Sequence, residues 1–190
     1  TAVVDVPLLG RGHLANALAA MAVAGDYGVP VGAMVERLAA LRPAPRRGEV
    51  WRLASGVTLV DDSYNSNPRA LQRTLEAVAA ERECQRRLAV LGEMLELGDQ
   101  AVALHDACGR SAAHADLTHL VTVGGAPAEA MARAAIAAGM PAAAVQHVGT
   151  SDAAADMLVP MLRPGDVVLV KGSRGVRTDI VADRVKAAGA

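Results

Sequence analysis

The fold of this chain is decided by DVVLVKG at residues 166–172 and by the earlier stretches that repeat its pattern. Four consecutive apolar residues end at a lysine and a glycine, a pattern typical of a parallel strand that is buried on both faces. Comparable runs occur earlier in the chain, at LAVLGE 88–93, HLVTVG 119–124 and AVQHV 144–148. Segments with helical periodicity separate these runs, so the sequence predicts a doubly wound α/β domain with a mostly parallel sheet.

Hydrophobic periodicity and turn residues also predict the remaining elements of this domain. VWRLAS and VTLVDD predict a hairpin around Ser55-Gly56. A polar loop then leads into a predicted helix over 69–83. Further helices are predicted over 100–114, 126–138 and 151–162, and a last helix begins at about 176.

The first 46 residues have a different organisation. They predict one strand over 1–9 and two helices over 14–24 and 31–41, which together are too little to form a core. The first of these helices is apolar on nearly every face, which suits burial against a sheet. RPAPRRGE at 42–49 follows and is interpreted as a linker, because proline interrupts both regular structures. We therefore expect residues 1–46 to be the end of a preceding domain, and residues 47–190 to be a domain of their own.

Composition limits the classes of function. The net charge is −1, with 19 basic and 20 acidic residues, which gives no electrostatic case for a nucleic-acid or membrane partner. Cys84 and Cys108 have no metal-site spacing and are interpreted as reduced packing thiols, which fits a cytoplasmic protein. No metal-ligating cluster is predicted, and no apolar run is long enough to cross a bilayer.

Two glycine patterns bear on nucleotide binding. GRGHLA at 10–15 fits the loose dinucleotide fingerprint, but Asp5 and Pro7 suit a central strand poorly, and Glu36 lies within a helical pattern rather than at a strand end. A dinucleotide-binding domain of NAD(P) type therefore stays an alternative. The phosphate loop G-x-x-x-x-G-K-[ST] does not occur in the sequence, so no such loop is available here to bind nucleotide phosphates.

DDSYNSNP at 61–68 is the strongest local signal. Ser66 or Asn67 can cap the following helix, with Pro68 in its first turn. Capping does not explain Asp61 and Asp62, which stand at the carboxyl end of a strand, where α/β sheets bind ligands.

Two further turns also follow strands. VKGSRG at 170–175 carries Lys171 and Arg174 and is predicted to lead into the last helix, an arrangement that favours an anion. An ordinary turn capped by Ser173 is the alternative. Glu93 and Glu96 in GEMLELG are either ligands for a cation or solvated loop charges.

Taken in order, six features resemble the Mur ligase family, over essentially the whole chain. They are G-x-G-H-x-x-N-A-L-A-A at 10–20, Arg47 after the proline-rich linker, DDSYNSNP, VLGEMLELGD at 90–99, the His105 helix and VLVKGSRG at 168–175. The nearest branch joins D-alanyl-D-alanine to UDP-N-acetylmuramoyl-tripeptide. The resemblance implies three domains, of which 1–46 would end the central ATP-binding domain and 47–190 would be the Rossmann-like C-terminal domain.

The resemblance also implies roles for individual residues. Asn16 matches the asparagine that binds adenine, while Arg47 and Asp62 match residues that hold the adenosine. His13 matches a family histidine, although Leu14 stands where the family has asparagine, which puts that loop in doubt. Tyr64 stands where some relatives have lysine, so no lysine role carries over.

For the incoming dipeptide, the expected contacts are Lys171, Ser173 and Arg174 to its carboxylate and Glu93 to its ammonium group. The catalytic residues stay open.

The chemistry that the resemblance implies is ATP-dependent amide-bond formation through an acyl phosphate, for peptidoglycan synthesis. ATP and Mg²⁺ would be bound mainly by the central domain, so we expect the chain alone to be inactive and the intact enzyme to be a cytoplasmic monomer. Besides the NAD(P)-type domain, a non-catalytic Rossmann-like module is the other alternative.

Overall fold

A computed structural model describes residues 3–4, 6–8 and 11–190 of the chain. It contains a six-stranded sheet with the order β1-β2-β6-β3-β4-β5. β1 runs antiparallel to β2, and every other neighbouring pair is parallel. The strands are β1 Glu49–Arg52, β2 Thr58–Asp62, β3 Arg86–Gly92, β4 His119–Val123, β5 Val145–Val148 and β6 Asp166–Lys171. The predicted mostly parallel α/β sheet and the predicted hairpin are confirmed.

Helices cover both faces of this sheet. They are α1 Arg11–Asp26, α2 Val31–Ala39, α3 Pro68–Ala79, α4 Ala101–Ala113, α5 Ala126–Ala137, α6 Ser151–Leu158 and α7 Asp179–Gly189. One apolar cluster joins α3, α4 and α5 to the sheet, and a second joins α6 and α7 to the opposite face. β6 illustrates this packing on both faces. Val167 and Leu169 pack in the first cluster, whereas Val168 and Val170 pack in the second, because alternate strand residues point to opposite faces.

Three predicted helix boundaries are wrong, each for a local reason. α3 ends at Ala79 rather than at 83, because the Arg87 side chain donates to the carbonyls of Val78 and Glu81. α6 ends at Leu158, where a 3₁₀ turn containing Pro160 replaces the last turn of the predicted helix. The last helix starts at Asp179 rather than at about 176, because a 3₁₀ turn over Arg174–Val176 comes first.

The segment before the sheet agrees with its prediction in part. The strand predicted over 1–9 lies partly outside the described residues, and its described residues, 3–4 and 6–8, are in no strand. α1 and α2 form close to the predicted positions. Ala17 is buried on α1, whereas Leu14, Leu18 and Val23 are exposed. Across the described residues, no helix combines the length and apolar character needed to span a bilayer.

The linker is attached to the sheet at its end. The backbone amide of Arg46 donates to Glu49 Oε2 at 2.7 Å, and the guanidinium of Arg46 forms ion pairs with Asp179 and Asp183 on α7. The amide of Tyr64 donates to the Arg46 carbonyl at 3.0 Å. Residues 40–45 therefore form the less constrained part of the connection, whereas Arg46 at its end is held against β1 and α7.

Candidate functional site

A cavity of about 270 Å³ lies at the carboxyl ends of β2 and β6. α1 forms one wall and α3 the other. The three residues predicted to contact adenosine, Asn16, Arg47 and Asp62, all line it, and so does His13. They come from α1, the linker and β2, so only the tertiary fold brings them together. The volume is close to the lower end of the roughly 300–1,000 Å³ range of small-molecule sites.

The α3 wall is fixed by the polar loop that follows β2. Asn67 Oδ1 accepts the Ala70 amide at 2.9 Å, and Pro68 opens the helix. Asn67, rather than Ser66, is thus the helix cap. This short connection sets Ala70, Arg73 and Thr74 along the cavity, facing Asn16 on α1. Arg73 and Thr74 are not predicted from the sequence, because no local pattern distinguishes them from other helix-surface residues.

Asp62 and Lys171 form the floor of the cavity. The two residues are paired in register on the neighbouring strands β2 and β6. Lys171 Nζ donates to Asp62 Oδ2 at 2.7 Å, and the hydroxyl of Thr74 lies 3.2 Å from the same oxygen. Lys171 also donates to the Asn65 carbonyl at 2.9 Å. Two of the three ammonium protons therefore have acceptors within the cavity wall.

Lys171, which the sequence predicts to contact the dipeptide carboxylate, lies in the floor of the cavity. The residue is only 3% exposed, and its charge is balanced by Asp62. The expectation that VKGSRG leads directly into the last helix is wrong, since a 3₁₀ turn over Arg174–Val176 comes first and α7 begins at Asp179. An anion at this turn would therefore meet the start of a 3₁₀ turn rather than the N-terminus of α7, and Arg174 is an exposed cation of the segment.

Asp61 and Asp62 have separate roles, although they are adjacent in sequence. Asp61 is fully buried, and it accepts hydrogen bonds from the Ser63 hydroxyl at 2.6 Å and from Lys186 Nζ at 2.7 Å. Lys186 also lies 4.7 Å from the centre of the Trp51 ring. Alternation along β2 directs Asp61 to the α7 side and Asp62 to the cavity, so only Asp62 is available to a ligand.

Tyr64 connects the cavity to the neighbouring edge of the sheet. The guanidinium of Arg47 lies 4.0 Å from the centre of its ring, and that of Arg174 lies 5.7 Å from it. Both distances allow cation–π attraction. Tyr64 is therefore in contact with Arg47, which lines the cavity, and lies within cation–π distance of Arg174.

The loop after β3 is held by three elements. The Glu93 carboxylate accepts the Gly125 amide at 2.6 Å, which places its charge at the start of α5. Ser173 Oγ accepts the Leu95 amide at 3.0 Å and caps no helix. Of the predicted dipeptide contacts, Glu93 and Ser173 thus both bind backbone amides, and each retains further hydrogen-bonding capacity.

His105 on α4 completes this support. Its Nε2 accepts the Met94 amide at 2.8 Å, and its Nδ1 lies 2.7 Å from the Ala101 carbonyl, so Nδ1 carries the proton. Burial lowers the pKa of His105, while the Ala101 carbonyl and the Glu93 charge oppose that shift. The neutral form that the loop requires is therefore favoured.

Neither cysteine takes part in the site. Cys108 is buried, and burial raises the pKa of its thiol to about 11. The thiol form is therefore dominant at neutral pH, in agreement with a packing role. Within residues 3–4, 6–8 and 11–190, no three His, Cys, Asp or Glu side chains are grouped as a metal ion would require. The cavity offers amide, carboxylate and guanidinium groups, a set suited to a nucleoside.

Similar proteins share this sequence and fold. Residues 46–174 match the family model described as "Mur ligase, glutamate ligase domain". The chain is 38% identical to UDP-N-acetylmuramoyl-tripeptide–D-alanyl-D-alanine ligase of Mycobacterium leprae and 40% identical to that of Mycobacterium tuberculosis. These alignments cover 98% and 97% of the chain but 39% of each relative.

Solved structures give the same result. The chain superposes on MurF from Acinetobacter baumannii with a TM-score of 0.84 at 26% identity, over 97% of this chain and 40% of that one. MurF from Thermotoga maritima, solved in complex with ADP, gives a TM-score of 0.79 at 28% identity, over 95% and 39%. The chain thus spans about two fifths of the length of these relatives. The family model matches well over half of its residues, and the chain belongs to the Mur ligase family.

Proposed function

We propose that this chain is the adenosine-binding and dipeptide-receiving part of an ATP-dependent ligase. The enzyme would join D-alanyl-D-alanine to UDP-N-acetylmuramoyl-tripeptide in peptidoglycan synthesis, as a monomer in the cytoplasm. The relatives from Mycobacterium bear this activity in their names, and the Thermotoga maritima relative was solved with ADP. Residues 1–46 would end the ATP-binding domain, and 47–190 would form the C-terminal domain.

The observation that carries this proposal is the meeting of Asn16, Arg47 and Asp62 around one cavity. The amide of Asn16 can donate to and accept from a purine edge. The Asp62 carboxylate, at a strand end, can accept hydrogen bonds from ribose hydroxyls. Arg47 lines the same cavity as a cation, and its guanidinium lies 4.0 Å from the centre of the Tyr64 ring. His13 lies on the same wall as Asn16 and supports the adenosine from the α1 side.

Bound ATP would supply the phosphoryl group that converts the tripeptide carboxylate into an acyl phosphate, with Mg²⁺ held by the ATP-binding domain. This chain would orient the nucleoside and present the dipeptide amine. Arg174 is the exposed cation suited to the dipeptide carboxylate, and Ser173 and Glu93 lie on the adjoining loops. Arginine suits this role because its planar guanidinium binds carboxylates through two donors.

The test is Asp62→Ala in the full-length protein, assayed by phosphate release with ATP, UDP-N-acetylmuramoyl-tripeptide and D-alanyl-D-alanine. We expect the ATP KM to rise roughly ten- to a hundred-fold, since a lost charge-assisted hydrogen bond costs about 1.5–3 kcal/mol. Glu76→Gln is the matched control, because Glu76 is exposed on α3 outside the cavity. An unchanged ATP KM in a normally folded Asp62→Ala protein would contradict the adenosine role.

Titration of the full-length protein with NADH separates the alternatives. The proposal requires binding of an ATP analogue and no comparable binding of NADH. A preference for NADH would favour the dinucleotide-binding domain, and no binding of either would favour a non-catalytic module.

A further inference from the structure

We propose that Lys171 is a positioning residue for Asp62, and that it acts on nucleotide binding rather than on the dipeptide. By holding one carboxylate oxygen, Lys171 would leave the other directed into the cavity for a ribose hydroxyl. This inference rests on the proposed function, since it requires that Asp62 contacts the sugar of ATP.

The contacts of Asp62 are all on one oxygen. Lys171 Nζ and the Thr74 hydroxyl both lie within 3.2 Å of Oδ2. Within the described part of the chain, Oδ1 has no hydrogen-bond partner, and the Asp62 side chain is 19% exposed. The carboxylate is therefore anchored on its inner side and accessible on its outer side. A charge-assisted bond of 2.7 Å is short enough to fix the orientation of the group.

Lys171 also fixes the cavity wall next to Asp62. Its second bond goes to the carbonyl of Asn65, a residue of the loop that leads into α3 and lines the same cavity. One buried ammonium group thus joins the end of β6 to the end of β2 and to this loop. Loss of the ammonium group would release two parts of the wall at once.

The backbone next to Lys171 is tightly packed. A side chain at Gly172 would approach Thr178 Cγ2 at 2.8 Å and Gly92 Cα at 3.1 Å. Lys171 itself is 3% exposed, and its two hydrogen bonds go to Asp62 and to the Asn65 carbonyl, whereas Arg174 is exposed. The burial of Lys171 and its pairing with Asp62 therefore favour an action on the cavity.

The experiment is Lys171→Met in the full-length protein, since methionine keeps an unbranched apolar stem and removes the charge. The readouts are the Kd for ADP by calorimetry and the KM for ATP, D-alanyl-D-alanine and the UDP-tripeptide. We expect the ADP Kd and the ATP KM to rise about ten-fold, which corresponds to about 1.4 kcal/mol, with a near-constant dipeptide KM.

Lys186→Met is the matched control. Lys186 forms an ion pair at 2.7 Å with Asp61, which precedes Asp62 on β2 and points to the other face of the sheet. Lys186→Met therefore removes a comparable lysine–aspartate pair away from the cavity. It should lower the melting temperature while the ADP Kd stays unchanged. Thr74→Val provides a second route, because it removes the other contact to Oδ2 from a different element. It should raise the ADP Kd by a smaller factor.

A double-mutant cycle identifies how Lys171 acts. If it works through Asp62, then Lys171→Met added to Asp62→Asn should raise the ADP Kd no further than Asp62→Asn alone. Additive effects would overturn the inference, as would a rise confined to the dipeptide KM or an equal effect of Lys186→Met.

If Lys171→Met does not fold, Lys171→Gln takes its place in the cycle with Asp62→Asn, and additive effects of these two substitutions would again overturn the inference. Failure of the proposed function gives a different result, namely an unsubstituted protein that binds ADP but shows no turnover dependent on the dipeptide.

Discussion

Arg174 is the residue on which the dipeptide assignment now depends. It is exposed and lies 5.7 Å from the Tyr64 ring, whereas Lys171 is paired with Asp62. We expect Arg174→Ala in the full-length protein to raise the KM for D-alanyl-D-alanine roughly ten-fold, because it removes one charge-assisted contact. The KM values for ATP and for the UDP-tripeptide should change little.

The matched control for this change is Arg177→Ala. Arg177 is a nearby arginine whose guanidinium binds Asp179 instead. A rise confined to the ATP KM in Arg174→Ala would reassign this residue to the nucleotide. If both substitutions changed the dipeptide KM equally, Arg174 would have no specific role in dipeptide binding.

His105 predicts a pH dependence of stability. Burial lowers its pKa in the folded protein, so the unfolded chain binds a proton more readily as pH falls below about 6.5. The stability associated with neutral His105 is therefore fully present above that pH. It is lost as pH falls toward the lowered folded pKa. Burial is also the main cause of a lowered pKa at His119, so this histidine adds its own pH dependence. The contribution of His105 is therefore measured as the difference in unfolding free energy between the unsubstituted protein and a His105 variant.

The variant is His105→Leu, unfolded with urea at pH 8 and at pH 5. At pH 8 it should lose about 1–3 kcal/mol, because the buried Met94 amide loses its acceptor. Its stability should also fall less than that of the unsubstituted protein between the two pH values. His114→Leu, at an exposed histidine after the same helix, is the control and should stay near the unsubstituted stability at pH 8. Identical pH slopes with and without His105 would refute the assignment.

At the scale of elements, the linker determines where the chain can bend. The sequence predicts a hinge over RPAPRRGE, with proteolysis near Arg46 or Arg47. The structure ties Arg46 to Asp179 and Asp183, so we place the bend before it, in residues 40–45. Chymotrypsin should therefore cut after the exposed Leu41 faster than trypsin cuts after Arg46.

Two variants test this position of the hinge. Arg46→Ala should accelerate tryptic cleavage after Arg47, because it removes both ion pairs to α7. Arg184→Ala, which removes an ion pair between α7 and Asp156 on α6, should not. Nucleotide and UDP-tripeptide should slow the cut at Leu41 if domain closure occurs there. Equal cleavage with and without these ligands would argue against closure at this point.

At the scale of the whole molecule, the chain should have binding groups but no phosphoryl-transfer activity of its own. The sequence has no phosphate loop of the G-x-x-x-x-G-K-[ST] type, and the cavity lies at the nucleoside end of the proposed ATP site. We expect the purified 190-residue chain to release no phosphate above background with ATP, Mg²⁺ and both other substrates. The full-length protein is the positive control. Release by the shorter chain would show that the phosphates are bound within it.

The sequence alone predicted the parallel strands, the hairpin and the two-sided burial of the sheet. Hydrophobic period and turn residues are local properties, so they indicated these elements but left the cap of α3 open between Ser66 and Asn67. The adenosine roles of Asn16, Arg47 and Asp62 follow from the resemblance to the Mur ligase family and stay predictions. Helix ends were less predictable. α3 stops where Arg87, from the next strand, binds its last carbonyls, and this contact depends on packing.

Only the tertiary structure decided the partners of the charged groups. Lys171 lies 109 residues from Asp62, and the two meet because β6 inserts beside β2 in a fixed register. Strand alternation then sends Asp61 to Lys186 and Asp62 to the cavity. A lysine at a strand end is equally suited to a free carboxylate or to a neighbouring acid. The role of Lys171 depends on which acceptor lies within 3 Å of its ammonium group after the residue is buried. Burial and strand register set that acceptor, and neither is a property of the local sequence.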